Sequence, residues 1–352
     1  MTGLDAARGL ALLGMLAAHT VPEGDGDFVW DGRSSILFAT IAGVSLGLMS
    51  GGSRRPAPDA RGRVARVVLL RGLLLIVLGV LLTFLETPIA IILDTYGFLF
   101  ILALPLLYAP RWLVAVVAAS AALGGPWLVE TIGTAIEGTT GATATAFDSP
   151  WAYFPVRWLI DAYPAPVWLA YLAVGILIAR SDLRSRRTQY VLVAAGGLAA
   201  VLGYTLPDVL GAPVLAHDDT TAEVIASGGL AVAVIGLLVW LTDSAAARVR
   251  RLSRGVLWPL RAVGSMPLTI YTAQIIGIAV AVEVIPHEEW LGWQSVPLFF
   301  VFAIPSLVLA CLWKLVFTQG PLEWVFSRLT THRPWPRRRK SPSGDPAGAA
   351  GA

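Results

Sequence analysis

Arg8 and His19, in the first apolar segment, are the residues best spaced to do chemistry. They stand eleven positions apart, which on an α-helix is about 20° from a whole number of turns and roughly 16 Å along the axis. Both side chains therefore share a face at opposite ends of the helix, and Asp5, three residues before Arg8, is spaced to pair with it. An imidazole serves at neutral pH as a general base, or as a nucleophile that takes up an acyl group. A histidine at a helix end touching interfacial water is the alternative. Arg71, about seven residues into the third apolar segment, either snorkels to the nearer interface or stands beside Arg8. Two guanidinium groups there suit the phosphates of a nucleotide-bearing donor. Asp94, near the outer end of the fourth segment, lies at a depth not far from His19. It is a candidate to hold the imidazole, with a pairing to Arg33 or a helix-terminus role as alternatives. Asp31, in the first outer connection, is a second candidate for that task. Arg33, Tyr271 and Gln274 are the polar groups left for the acceptor side, although such residues on apolar helices commonly serve as interhelical glue.

Other chemistries find no support. His217 and His287 fall in outer connections and His332 near the C-terminus, and none makes a metal-ligand spacing. Cys311 is the one cysteine, so an intramolecular disulfide and a cysteine-based metal site are excluded. There is no Walker loop, dinucleotide fingerprint or H-E-x-x-H, which removes the motif basis for ATPase and dehydrogenase readings.

The elements that must carry these side chains are membrane spans. The chain of 352 residues is 56% hydrophobic and 14% charged, with a mean hydropathy of +0.70. A water-facing surface needs more charge than that. Ten apolar segments are legible: Leu4–Thr20, Ser34–Ser50, Val64–Leu85, Ile89–Tyr108, Leu113–Ile132, Ala165–Ala179, Tyr190–Leu206, Ala222–Thr242, Pro267–Ile285 and Val296–Phe317. Their apolar runs are continuous, without the alternation of a barrel strand, which predicts an all-α polytopic transmembrane bundle of about ten helices. Arginines cluster after the second, sixth, eighth and tenth segments, while the alternate connections carry Glu86, Asp208, Asp218, Asp219 and similar acids. The positive-inside rule then places both termini in the cytoplasm. Gly9 to Ala18 reads as part of an uncleaved first helix, because Asp5 precedes it and no A-x-A-like site follows. The basic clusters are topology signals, and the net charge of +3 gives no reason to expect a nucleic-acid partner. The domain reading is a bundle over 1–332 and a disordered, basic cytoplasmic tail over 333–352, resting near anionic lipid. Gly133 to Pro164 reads as a long non-helical outer connection, Gly/Thr-rich and then aromatic through Trp151, Tyr153, Phe154 and Trp158.

The run Gly3-Leu4-Asp5-Ala6-Ala7-Arg8-Gly9-Leu10-Ala11, ending in His19, resembles the first helix of the transmembrane acyltransferase superfamily. That group includes the acyltransferase-3 enzymes, marked by an arginine, ten residues and a histidine in the first span, and heparan-alpha-glucosaminide N-acetyltransferase. It also includes the YeiB-like bacterial membrane proteins. Gly32-Arg33-Ser34-Ser35, Tyr96-Gly97, Tyr163-Pro164, Leu268-Thr269-Ile270-Tyr271 and Gly320-Pro321-Leu322-Glu323-Trp324 resemble the last of these, over about Leu4 to Thr330. Two features depart from the relatives: Gln274 stands where the YeiB-like motif commonly ends in histidine, and the connection Val21 to Asp31 has no histidine. The resemblance implies a multi-pass protein of the bacterial inner (plasma) membrane. It also implies an acyl-CoA donor, acetyl-CoA first among them, entering from the cytoplasm near Arg8 and Arg71. His19 then acts near the outer face on a cell-envelope glycan or lipid acceptor. Two other classes fit ten helices with a few buried charges: an exporter of a small amphiphile, and a non-catalytic envelope scaffold in contact with membrane lipid. A donor-dependent label on His19 separates the first reading from both.

Overall fold

The computed structural model describes residues 1–22, 28–138, 150–286 and 292–331, and the regular structure among them is fourteen α-helices and two short 3-10 helices, Pro58–Ala60 and Pro105–Leu107, with no strand. The helices are α1 (Thr2–Thr20), α2 (Arg33–Met49), α3 (Arg61–Thr83), α4 (Leu93–Leu102), α5 (Arg111–Gly138), α6 (Pro150–Ile160), α7 (Ala165–Ala179), α8 (Arg186–Val209), α9 (Thr221–Thr242), α10 (Ala247–Val256), α11 (Trp258–Gly264), α12 (Pro267–Val284), α13 (Val296–Val316) and α14 (Pro321–Thr331). Each of the ten apolar segments contains a helix, as expected for chain that must satisfy its own backbone in lipid. The chain is a multi-pass helical bundle.

Six helices are long and apolar enough to cross a membrane by themselves, those ending at Thr83, Ile136, Val209, Thr242, Val284 and Val316. A seventh crossing arises if α6 and α7, bent by 62° at their junction, form one broken span. The expected count of ten needs three further elements: α1, which carries Asp5, Arg8 and His19, α2 with 17 residues, and α4 with ten.

The fourth segment is the largest correction. A helix was expected over Ile89–Tyr108, but α4 begins only at Leu93, and residues 86–92 are irregular although Ile89, Ile91 and Ile92 are buried. Irregular backbone at membrane depth needs partners from the protein. Arg157 Nη2 donates to the Ile91 carbonyl at 2.5 Å, Tyr163 Oη to the Ala90 carbonyl at 3.3 Å, and the Ile92 amide to Tyr271 Oη at 3.4 Å. The expected non-helical stretch from Gly133 to Pro164 is corrected too: α5 runs on to Gly138, and the aromatic part is α6. Phe98 stacks on Trp158 at 4.9 Å, and this burial favours helix despite Pro155. The short helices α10, α11 and α14 had no counterpart among the expected elements. The basic tail, His287 and His332 lie outside the described residues.

Close crossings hold the bundle. Gly43 and Gly47 of α2 form a G-x-x-x-G face; a Cβ on Gly43 would meet the Leu172 carbonyl of α7, and one on Gly175 the Thr40 carbonyl of α2. In the same way α1 lies against α11, where Gly9 faces the Leu260 carbonyl and Gly264 faces Asp5.

The connections sort to two ends. Arg180 Nη1 donates to the carbonyls of Gly52 (2.8 Å) and Arg54 (2.6 Å), and its Nη2 to Leu107 (2.7 Å); Arg186 Nη2 donates to Asp243 (2.5 Å). At the other end the Ser295 amide donates to the Thr20 carbonyl at 2.9 Å, and Gly32 lies against Ala216. Basic connections thus share one end and acidic ones the other. A cysteine at Asp218 is expected to react with an impermeant thiol reagent in intact cells, and one at Asp59 only after permeabilisation. Equal labelling of both would refute the alternation.

Candidate functional site

Three polar constellations occupy the bundle. The first lies at the basic end. Arg8 is held by Asp5 Oδ1 at 3.2 Å, the Gly264 carbonyl at 2.8 Å and Ser45 Oγ at 2.9 Å, so one guanidinium ties α1 to α11 and α2. Beside it Glu323 of α14 accepts from the amides of Leu268 (2.6 Å) and Thr269 (3.2 Å) and from Thr269 Oγ1 (2.6 Å). It caps the start of α12, where unpaired amides and the helix dipole favour an anion. Burial pushes the Glu323 carboxyl up, while these hydrogen bonds pull it back towards its ordinary range.

Arg8 and Glu323 line a cavity of about 320 Å³ enclosed by α1, α2, α3, α4, α12 and α14. Its walls are mainly apolar, with Phe38, Ala42, Leu46, Leu75 and Phe100, and its polar groups include Arg8, Ser45, Arg71, Tyr96, Gln319 and Glu323. Tyr96 stacks on Phe38 and donates to the Ser35 carbonyl at 3.1 Å. Met49, Arg71, Gln319 and Ser327 also line a second space of about 590 Å³, whose other cations are Arg63 and Arg66. The two adjoin through these four shared residues, an arginine-lined vestibule beside a smaller, amphipathic chamber. Ligand sites have this size and this mix of apolar wall and few polar groups. Arg63 and Arg66 are exposed and make no hydrogen bond or ion pair among the described residues. As sequence they had counted only towards topology; their place on α3 with Arg71 was the missed signal.

The second constellation is Asp94, wholly buried at the start of α4. Its Oδ2 accepts from Trp158 Nε1 at 2.9 Å and lies 3.7 Å from Arg157 Nε, while its Oδ1 has no hydrogen-bond partner among the described residues. The partner is therefore Arg157 of α6. Arg33 instead donates from Nε to Tyr204 Oη at 3.1 Å and from Nη1 to the Phe28 and Asp31 carbonyls.

The third lies at the acidic end, around His19. The His19 imidazole is half-buried and makes no hydrogen bond among the described residues; its backbone carbonyl accepts from Gln294 Nε2 at 2.9 Å. Asp31 Oδ2 accepts from the Phe28 amide at 2.7 Å, closing a turn. The structure brings His217 within electrostatic reach of His19, which no spacing in the sequence announces. His217 and Asp219 both have positive φ, 61° and 50°, in a loop pinned by Glu223, whose carboxylate accepts from both their amides. Thr220 Oγ1 accepts in turn from the Glu223 amide as the N-cap of α9, half of the pattern readable as T-x-x-E, while the Glu223 carboxylate is taken up by the two amides before the cap. Burial, and then the neighbouring Glu223 charge, pushes Asp219 up to about 7. Of the remaining candidates, Tyr271 reaches the Ile92 amide, and Gln274 is buried with its Nε2 lacking a partner among the described residues. No cluster of three or more potential metal ligands occurs among the described residues.

The structure thus joins Arg8 and Arg71 in one cavity, and sets His19, Asp31 and Arg33 at the opposite end with Asp94 on its own partners. No curated protein and no solved structure matches this chain. Residues 177–333, from the end of α7 past α14, match the model of a family described as "Protein of unknown function (DUF418)", so that the Glu323 side of the cavity falls within the similarity and the Arg8 and Arg71 side outside it.

Proposed function

We propose that the chain is a membrane acyltransferase that takes an acyl group from acyl-CoA at its basic end and passes it to an acceptor at the other. The observation that carries this reading is the arginine-lined vestibule beside an amphipathic chamber. The donor is a substrate with a polyanionic nucleotide head and a long, uncharged arm. Arg63, Arg66 and Arg71 suit the phosphates, and the chamber past Arg8 suits the arm. The likeness of the first helix to acyltransferases supports the same direction, with Arg8 at the donor end and His19 at the far end.

In the proposed step His19 accepts the proton of an acceptor hydroxyl or amine as that atom bonds to the acyl carbon. The carbon–sulfur bond of the thioester breaks, and the proton leaves with the thiolate as free CoA. Asp94 and Asp31 are expected to act at a distance, since their oxygens serve Arg157, Trp158 and the Phe28 amide.

Titration calorimetry of acetyl-CoA into the protein in lipid nanodiscs tests the donor site. Arg71→Leu is expected to weaken binding by about 1.5–3 kcal/mol, the range for a hydrogen bond to a charged group. Arg63→Gln and Arg66→Gln, at exposed positions, are expected to give smaller losses that fade with added salt. Unchanged affinity in all three variants would remove the donor site. Transfer of radiolabelled acetyl from acetyl-CoA to membrane material then tests the reaction itself.

A further inference from the structure

We propose that α10 is an in-plane anchor that binds anionic phospholipid headgroups on the basic side of the bilayer. The inference stands apart from the acyltransferase reading, because it rests on a different surface. α10 begins four residues after the membrane-spanning α9 ends, and α11 follows it almost at once and packs along α1. Two of its arginines fasten it there. Arg250 Nη1 donates to the Ser244 carbonyl at 2.6 Å, just past α9, and Arg254 Nε to the Thr242 carbonyl at 2.7 Å, so both join Arg186 at the C-terminal end of α9. The helix is thereby held at the level where α9 leaves the apolar layer.

No residue of α10 is buried. Val249, Leu252 and Val256 are 38%, 67% and 69% exposed, and at 100° per residue they fall within about 60° of one another. The tethering arginines lie on the opposite side. Arg248 borders the apolar stripe, about 40° from Leu252, while Arg251 lies about 100° from Leu252 on the polar side; both are exposed and make no hydrogen bond or ion pair among the described residues. A narrow apolar stripe with one untethered guanidinium at its border and a second on the polar face, on a short helix at the end of a span, matches the chemistry of a headgroup layer: methyl groups towards the acyl chains and arginines on phosphate. A neutral protein partner would leave both arginines without a counter-charge.

The test uses the full chain with Cys311→Ser and Leu252→Cys, labelled with an environment-sensitive dye and placed in nanodiscs of phosphatidylcholine with increasing phosphatidylglycerol. The dye is expected to shift to the blue and to be quenched by interfacial spin-labelled lipid as phosphatidylglycerol rises. Arg248→Gln with Arg251→Gln is expected to lower the preference for phosphatidylglycerol over phosphatidylcholine by roughly 30-fold, taking about one surface increment per basic residue. Neither arginine has a contact to lose, so the melting temperature should stay where it was. A dye that remains open to aqueous iodide at every composition would overturn the proposal. So would a lipid preference that survives the double variant, or shielding seen only in native membranes, which would indicate a protein partner.

Discussion

Arg157→Leu is expected to destabilise the folded bundle by about 3–5 kcal/mol, the usual loss when one partner of a buried ion pair is removed. Asp94 is fully buried and already has one oxygen without a hydrogen bond among the described residues. Without Arg157 its charge keeps the Trp158 indole and the backbone amides at the start of α4 but no counter-charge from Arg157, and the Ile91 carbonyl loses its 2.5 Å donor. Two buried groups are stranded by one substitution, in a segment with no helical ladder to fall back on. Thermal unfolding in detergent checks the magnitude. Adding Asp94→Leu to Arg157→Leu removes the stranded charge and is expected to restore part of the loss, since a matched apolar pair avoids the desolvation that a lone carboxylate suffers. A double variant no more stable than the single one would show that the pair does not hold residues 86–92. The same arrangement reaches the cavity: Leu93 and Tyr96, directly after the irregular segment, line it. Arg157→Leu is therefore expected to weaken acyl-CoA binding as well, although Arg157 touches no part of the cavity.

The spans were legible because lipid permits so little. A continuous apolar run must be a helix, and α7 was readable to the residue, Ala165 to Ala179, between Pro164 and Arg180. The failure at α4 has the converse cause. Ile89, Ala90, Ile91 and Ile92 are as apolar as any span, and what keeps them irregular is Arg157, Tyr163 and Tyr271, 66 to 179 positions away in sequence. Depth and azimuth divide the site in the same manner. Distance from a helix end gives the height of a side chain, so Arg8 and Arg71 were rightly placed at one level, and they do line one cavity. Height alone also set Asp94 near His19. Which neighbour a side chain faces depends on how helices pack around one another, and α6 turned Asp94 to Arg157. The third helix shows the remaining blind spot: arginines at a basic end read as a topology signal, and that reading passed over Arg63 and Arg66 standing on the same helix as Arg71, with which they line the second space.

His19→Ala is expected to lower acyl transfer by roughly 10²–10⁴-fold, the contribution typical of a positioned general base, and further still if the imidazole itself carries the acyl group. The effect on folding should be small. The ring makes no hydrogen bond among the described residues, and α1 is fixed by other contacts: Gly9 and Gly264 at its crossing with α11, Arg8 to three partners, and Thr20 to Ser295. His19→Gln separates chemistry from support. Glutamine keeps the bulk and a hydrogen-bonding end, but an amide does not take up a proton near neutral pH, so the proposed step predicts that it is as inactive as alanine. A histidine that merely fills space at the end of α1 predicts the opposite order, with glutamine tolerated and alanine destabilising. The two outcomes are read together as transfer of radiolabelled acetyl and as melting temperature in the same nanodiscs. His217 supplies the control, because it is the other imidazole within electrostatic reach. If His19→Gln retains full turnover while His217→Gln loses it, the chemistry belongs to the α8–α9 loop, with its left-handed residues and its Glu223 brace, and α1 only presents the donor. If both glutamine variants turn over normally, the acidic end of the bundle does no acid–base work, and the roles given to His19 and His217 fail while the transfer reaction and the donor cavity stand.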